Sequence, residues 1–579
     1  MKKFIYSLSI LLSALTFTGC SDFFDPDTDD ELNGEDYISS DTEMYTGFIG
    51  ILTKLQAIGD KELLLTDTRG ELLELTGNST PELVSLYNYD LDLQNNSYAN
   101  PASYYEVIMA CNDYLLKMKE YGKLPGVDPE VWADLVSSTI RVKAWTYKTI
   151  AEIYGEAVWF DSAVTEFTEL TPANGFELLP IEQVMDRAYS LMVNGWEGVP
   201  SNRSIDWIAW LDPGTSEGSS SFRSWNIMVP PYEGVFSELL LWKGAITDAA
   251  TPDGSASSAY YQQVCDLLLP AISNKVAQYY NSTHQYWMIA TDKAGQWSSY
   301  FSQTSFSYFE LVSVILYDYE HNQNNSINKH FLDTDQNSYL LRPSKFGMGR
   351  WTDRSFNPGG QEDGRFAATF KRPTSAQPYI GKYSNVSRTS TSDIHIITYR
   401  ATMYHFYLME ALNHLHRFIA ASAVLNQGVN GVYDPEDPEW DGFTVNWTAN
   451  TEAGTTKYYS SGLRGCFGSP SREFVTDLAE ANVSEAEAVK ANDLQILDEG
   501  LLEFACEGRT YPFMNRMALR YNDLSIVADR VAPKYAESGK EALIRARILD
   551  GANYVHYDLK MGAVQNPSDS SSDNENVEE

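Results

Sequence analysis

Sugar recognition asks for a flat apolar ring beside hydrogen-bonding groups, because a pyranose offers an apolar face bordered by hydroxyls. Two stretches of the 579-residue chain carry that mixture. One is Tyr87-Asn88-Tyr89 with Asn95, Asn96 and Tyr98, preceded by Arg69; the other runs from Tyr286-Trp287 through Gln296-Trp297 to Tyr300. They make Arg69, Tyr87, Tyr89, Asn95, Tyr98, Tyr286, Trp287 and Trp297 the candidates for ligand binding. Trp207, Trp210 and Trp225 form a third, weaker cluster. Against all three stands the commoner fate of an aromatic side chain, which is burial.

Residues for covalent chemistry are present but not arranged for it. Glycoside hydrolysis needs two placed carboxylates, and 79 acidic residues supply a pair at any chosen spacing by chance. Gly347-Met348-Gly349 lacks the third glycine of a dinucleotide loop, Thr352 standing in its place. His405, His414 and His416 share a helical segment, but their separations do not put two of them on one face. With no CxxC or HExxH spacing, the expectation is no catalytic residue, no metal and no cofactor: a protein that is not an enzyme. Cys111, Cys265 and Cys506 sit among apolar neighbours and read as buried thiols, although with Cys466 they allow three pairings in an oxidising compartment.

The elements that would position these residues are helices. In Val131 to Gly155, the positions Val136, Ile140, Ala144, Tyr147, Ala151 and Tyr154 recur every three or four residues and lay one apolar stripe along a helix. Similar stripes run through Tyr104 to Met118, Ile181 to Val193, Tyr232 to Ile246, Tyr260 to Ile272, Tyr399 to Ile419 and Leu494 to Cys506. Neighbouring stripes of this length suit antiparallel hairpins of the tetratricopeptide kind, in a degenerate form without a strict period. Between them, 194–230, 281–307, 322–392 and 428–470 are rich in Gly, Ser, Asn and Pro and read as long irregular insertions. The fold class expected is mainly α, an α-α superhelix of such hairpins with few short strands.

Both ends of the chain read differently from its body. Met1-Lys2-Lys3, the apolar run Phe4 to Thr18 and Gly19 before Cys20 have the layout of an export signal. Phe17-Thr18-Gly19-Cys20 resembles a bacterial lipobox, with Phe17 where Leu is usual, and implies lipid attachment at Cys20. Ser21 to Glu43 holds ten Asp or Glu and no Lys or Arg, the composition of a solvated tether. Acidic residues directly after the cysteine resemble the export signal of surface lipoproteins in the Bacteroidetes. The expected organisation is a signal peptide over 1–19, a lipid-anchored tether over 20–40, one helical domain over 41–562 and an unstructured tail over 563–579. A formal charge of −37 opposes nucleic acid and anionic lipid surfaces, so membrane contact is expected through the anchor only. The same charge disfavours polyanionic ligands.

Five segments, in order, carry a family resemblance. They are Cys20-Ser21-Asp22-Phe23-Phe24-Asp25; Ile140-Arg141-Val142-Lys143-Ala144 running to Tyr154-Gly155; Asp363-Gly364-Arg365 with Gly381-Lys382-Tyr383; Arg400 with Glu410-Ala411; and Glu499, Glu503, Phe504, Ala505, Glu507, Gly508 and Arg516. Together they resemble the SusD/RagB family of outer-membrane nutrient-binding lipoproteins. Met403, Gly500 and Phe513 depart from it, standing where acidic, Arg and Asp residues are common, and Arg509 lies one place early. The resemblance implies an outer-membrane, surface-exposed lipoprotein that binds an oligosaccharide or polysaccharide and delivers it to a TonB-dependent transporter β-barrel of the SusC kind. It equally allows a peptide- or protein-binding scaffold of the RagB type. Glu503, Glu507 and Arg509, one turn apart near a helix end, read as a structural ion-pair network.

Overall fold

The computed structural model describes residues 38–205, 227–251, 255–278, 301, 311–317, 323–332, 338–383, 394–426, 436–443, 464 and 469–558. The signal, most of the tether, Cys20, Cys466 and the tail lie outside those residues. So do Tyr286, Trp287, Trp297 and the cluster Trp207, Trp210 and Trp225.

Eleven of the helices build the frame: α1 Asp41–Gln56, α2 Gly59–Asp67, α3 Ala102–Tyr121, α4 Pro129–Tyr154, α5 Ile181–Asn194, α6 Tyr232–Ala250, α7 Ser258–Gln278, α8 Ala401–His414, α9 Phe418–Asn426, α10 Glu485–Phe504 and α11 Thr510–Arg520. Between α3 and α9 consecutive helices pack on one another, α3 also packs on α1, and α11 closes back on α6 and α10. This is the stacked-hairpin arrangement that the apolar stripes predict. Among the described residues strands are short and pair in two-stranded antiparallel ribbons, among them Leu311–Ile315 with Ile396–Arg400 and Glu156–Val158 with Leu178–Pro180.

Helix α4 is the axis of the stack. Asp128 caps its start by accepting the Glu130 amide, Pro129 occupies the first turn, and Gly155 ends it in the left-handed conformation at φ 75°. A Cβ at Gly155 would lie 2.7 Å from the Tyr554 ring, so both backbone angle and space demand glycine there. From Leu135 to Tyr154 every residue of α4 is buried, polar ones included, because helices cover it on all sides.

Two expected boundaries move. The stripe Tyr399 to Ile419 is not one helix: Tyr399 and Arg400 end a strand, and the chain turns at His416, where φ is 59°. The Arg417 amide reaches back to Leu412 O, a helix-ending bond that closes α8 before α9 begins. In turn α10 starts at Glu485, well before the stripe at Leu494, because Ser484 and Glu487 form a reciprocal capping box and its first turn is solvated. Insertion 322–392 also holds more structure than expected, including helices Ile327–Phe331, Lys345–Thr352 and Gly364–Thr369. These are too short to show a helical period.

The interior is unusually ionic. Lys148, wholly buried on α4, stands 2.8 Å from Glu152 and 2.9 Å from Glu238. Burial acts to raise the Glu238 pKa, but the Lys148 ammonium and the Arg509 guanidinium outweigh it and hold it at about 2. Next to this triad, Met403 and Phe513 help line a small cavity of about 40 Å³ with Glu152, Glu410, Arg509 and Arg516, room for one or two waters. Gly500 abuts it: a Cβ there would sit 3.3 Å from the Phe513 ring. The departures at 403, 500 and 513 therefore belong together, Phe513 filling the space that a side chain at 500 would need.

Asp67, at the end of α2, is buried, accepting from Gly508 N at 2.7 Å and Thr510 Oγ1 at 3.3 Å. Burial raises its pKa to about 7, the Gly508 amide, the Lys382 ammonium and the Thr510 hydroxyl opposing only in part. Its folded pKa exceeds the unfolded value of about 4, so its contribution is fully present below about pH 4 and is lost as pH rises through 7. Asp67→Asn keeps an acceptor and carries no charge. We expect this variant to gain roughly 2–4 kcal/mol relative to the parent between pH 5 and 8, read from urea midpoints; parallel curves would refute it.

Candidate functional site

The first sequence cluster mostly turns inward. Arg69 is 1% exposed: its guanidinium donates to Ala552 O and to Tyr554 O at 3.0 Å, and lies 4.2 Å from the Tyr89 ring centroid. Tyr89 is fully buried and donates its hydroxyl to Arg69 O at 2.5 Å, while the Tyr87 ring packs 4.6 Å from Tyr535. Arg69, Tyr87 and Tyr89 are thus core residues rather than binding platforms. The segment around 552–554 covers them and needs the Arg69 donors for its own carbonyls. Asn95 does stand exposed on a turn, and Tyr98 is half-buried with its hydroxyl 2.9 Å from His330 Nε2.

A different set of side chains forms an open cleft of about 540 Å³ between α3, α4 and α5. This is within the ~300–1,000 Å³ of small-ligand sites. Trp159 stands in its wall, stacked on Tyr147 at 3.9 Å between centroids and 16° between planes. Asp161, two residues on, accepts from Lys143 Nζ at 2.5 Å through one oxygen and from Trp159 Nε1 at 3.2 Å through the other. The Lys143 ammonium also lies 5.7 Å from the Trp159 ring centroid. Asn112 on α3 pins this segment by donating to Phe160 O at 3.0 Å and Ser162 O at 3.3 Å.

Across the cleft, Trp196 is mounted on a two-residue hairpin. Trp196 and Val199 exchange backbone hydrogen bonds of 3.0 and 2.9 Å, and Glu197 and Gly198 between them both have positive φ, the signature of a type I′ turn. Gly195 is obligatory before it: φ is 66°, and a Cβ would meet Val199 O at 1.9 Å. Lys119 braces the turn through Glu197 at 2.6 Å. Arg187, Ser190 and Asn194, all exposed on α5, complete the rim. The cleft thus offers the half-buried Trp196 indole, backed by the largely buried Trp159, with a carboxylate, amides and cations, to a flat, hydroxylated ligand. Trp196 fell within the expected insertion 194–230 and went unnamed; its one sequence signal is the Gly-Trp-Glu-Gly turn directly after a helical stripe.

The motif residues converge elsewhere, in the core. Arg365 forks onto Asp363 and reaches Glu499 at 2.7 Å and Glu503 at 3.2 Å; Arg400 reaches Glu503 at 2.6 Å and Glu507 at 2.8 Å; Lys382 reaches Glu507 at 2.5 Å. Arg516 and Arg520 both pair with Glu410. His414 lies between Asp248 and Asp493 and is structural, Asp493 being held well below the usual carboxylate range by His414 and Arg520 in spite of its burial. Arg509 pairs with Glu62 at 3.0 Å. Cys111, Cys265 and Cys506 are free and buried, and burial pushes the Cys111 thiol up to about 12, where it is inert. No group of His, Cys, Asp and Glu among the described residues could hold a metal ion.

The fold of this stack of helix hairpins recurs among solved structures. A SusD superfamily protein from Bacteroides thetaiotaomicron matches with a TM-score of 0.56 and 13% identity, over 89% of this chain and 94% of its own. One from Bacteroides vulgatus matches with 0.57 and 12%, over 89% and 95%. This is the SusD-like fold. A surface glycan-binding protein A from Bacteroides thetaiotaomicron, solved with laminarihexaose, shares the SusD-like fold with a TM-score of 0.50 and 13% identity, over 84% of this chain and 91% of its own. No protein-family profile matches the sequence, and no curated protein matches it. At such identities the likeness lies in the backbone, and the ion-paired core described above is what this SusD-like chain builds around.

Proposed function

We propose that this SusD-like protein is a cell-surface lipoprotein, anchored through Cys20, that captures a glycan and passes it to a TonB-dependent outer-membrane transporter. The observation that carries the reading is the 540 Å³ cleft with Trp159 and Trp196 in its walls, set in a fold that a laminarihexaose-bound protein also adopts. Capture needs a surface that grips and releases, and the cleft supplies aromatic faces and hydroxyl-seeking groups without strain at a reacting bond. The lipobox-like sequence at Cys20 supplies the anchor; no helix among the described residues is long and apolar enough to cross a membrane. Asn95 and Tyr98 remain proposed as a second contact region, as do Tyr286, Trp287 and Trp297.

The test is a titration of the soluble protein, starting at Ser21, with a panel of oligosaccharides and peptides while tryptophan fluorescence is read. A glycan should perturb the emission, and Trp196→Ala should weaken its binding at least about tenfold, about 1.4 kcal/mol, with the thermal midpoint little changed. Tight binding of a peptide with no response to any glycan would replace the glycan reading by that of a peptide-binding scaffold. Partnership is tested by detergent extraction and affinity recovery, where a large β-barrel should accompany the protein.

A further inference from the structure

Resting on the glycan reading of the cleft, we propose that Asp161 restricts it to uncharged saccharides. Lys143 Nζ is the cation of the cleft floor, on a side chain only 2% exposed, whereas the Asp161 side chain that faces it is 72% exposed. A buried ammonium at the bottom of an open cleft would ordinarily draw the carboxylate of an acidic sugar, because attraction grows where water is excluded. Here that place is taken. Asp161 Oδ1 sits 2.5 Å from Lys143 Nζ, and its second oxygen is fixed by Trp159 Nε1 at 3.2 Å. Asp161 is in effect the carboxylate that a charged ligand would otherwise bring.

The remaining lining agrees with this assignment. Arg187 is exposed on the rim, where a solvated pair is worth little and is screened by salt. Asn194 and Gly195 bring the carboxyl end of α5 to the cleft, and that end of a helix carries partial negative charge. Over all of it lies the field of a chain with a formal charge of −37. Hydroxyl groups can accept from Asn194 and Arg187 and donate to the exposed Asp161 oxygens, so a neutral sugar loses nothing in this environment. An acidic one meets Asp161 directly.

The probes are a neutral oligosaccharide that binds in a Trp196-dependent manner and the same oligosaccharide carrying one uronic acid. For the parent protein at about 0.01 M salt, where the screening length is about 30 Å, the acidic form should bind roughly fivefold more weakly, and the gap should close near 1 M salt. Asp161→Asn keeps an acceptor for Trp159 and uncovers the Lys143 charge, so the preference should invert toward the acidic form. A variant that merely loosened the wall would weaken both ligands alike. Equal or tighter binding of the acidic form by the parent protein at low salt overturns the proposal, as does an unchanged preference in a folded Asp161→Asn. Should Asp161→Asn fail to fold, Asp161→Ser carries the same test, because the net charge of −37 would by itself give the parent protein a salt response. If neither oligosaccharide depends on Trp196, the glycan reading of the cleft falls first, a distinct result.

Discussion

Glu499→Ala is expected to destabilise the protein by about 3–5 kcal/mol, a large share of the 5–15 kcal/mol that holds a typical domain. Glu499 is fully buried and receives three guanidinium groups, from Arg365 at 2.7 Å, from Arg472 at 2.9 Å and from Arg464. Burial alone would raise its pKa, yet these three cations hold it well below the usual carboxylate range. Removing it leaves positive charges facing one another in a medium that solvates them poorly, and arginine cannot escape by losing its proton. The loss should therefore be alike at pH 5 and pH 8, and shrink only below about pH 4, where the parent's own Glu499 contribution is lost. Urea unfolding of parent and variant measures it; a difference under about 1 kcal/mol would show that the network adds nothing net.

Lys148→Met should produce a loss of similar size, about 3–5 kcal/mol near neutral pH, with the opposite chemical signature. It strips the ammonium from between Glu152 and Glu238, and carboxylates, unlike guanidinium groups, can neutralise themselves by binding protons. In the parent protein the folded pKa of Glu238 is depressed to about 2, so its contribution is present above about pH 4 and is lost as pH falls toward 2. In the variant burial acts on Glu238 with the Lys148 ammonium gone, and its folded pKa rises above the unfolded value. The stability of the variant is then greatest below about pH 4 and declines as pH climbs. Comparing urea midpoints at pH 5 and pH 8 should show the deficit shrinking at the lower pH, whereas the Glu499→Ala deficit stays. Equal deficits at both pH values would rule out the charge account of this triad.

These two networks explain why the motif residues could be recognised in order and yet do not mark a ligand site. Arg365, Arg400, Glu499, Glu503 and Glu507 are spread over more than a hundred residues of sequence and meet only when the ribbon ending at Arg400 is laid against the carboxyl end of α10. Their partners are fixed by burial, since an unpaired charge there would be prohibitive. The sites that bind ligands have no such compulsion. Trp196 serves the cleft through a turn that any surface hairpin could form, and only the apposition of α3, α4 and α5 turns it toward Trp159 and Asp161.

What the sequence by itself determined is local and periodic: apolar stripes at three- and four-residue spacing for α3 through α7, and an ordered series of motifs that points to a SusD-like stack. These signals survive in one dimension because a helix face repeats every turn. Only the tertiary structure decided which aromatics meet solvent. Both Tyr89 and Trp196 are aromatics with polar neighbours, but the segment around Ala552 covers the first completely, while the second stays half-buried at an open cleft. Exposure depends on chain that arrives from hundreds of residues away, and no neighbour in the sequence records its arrival.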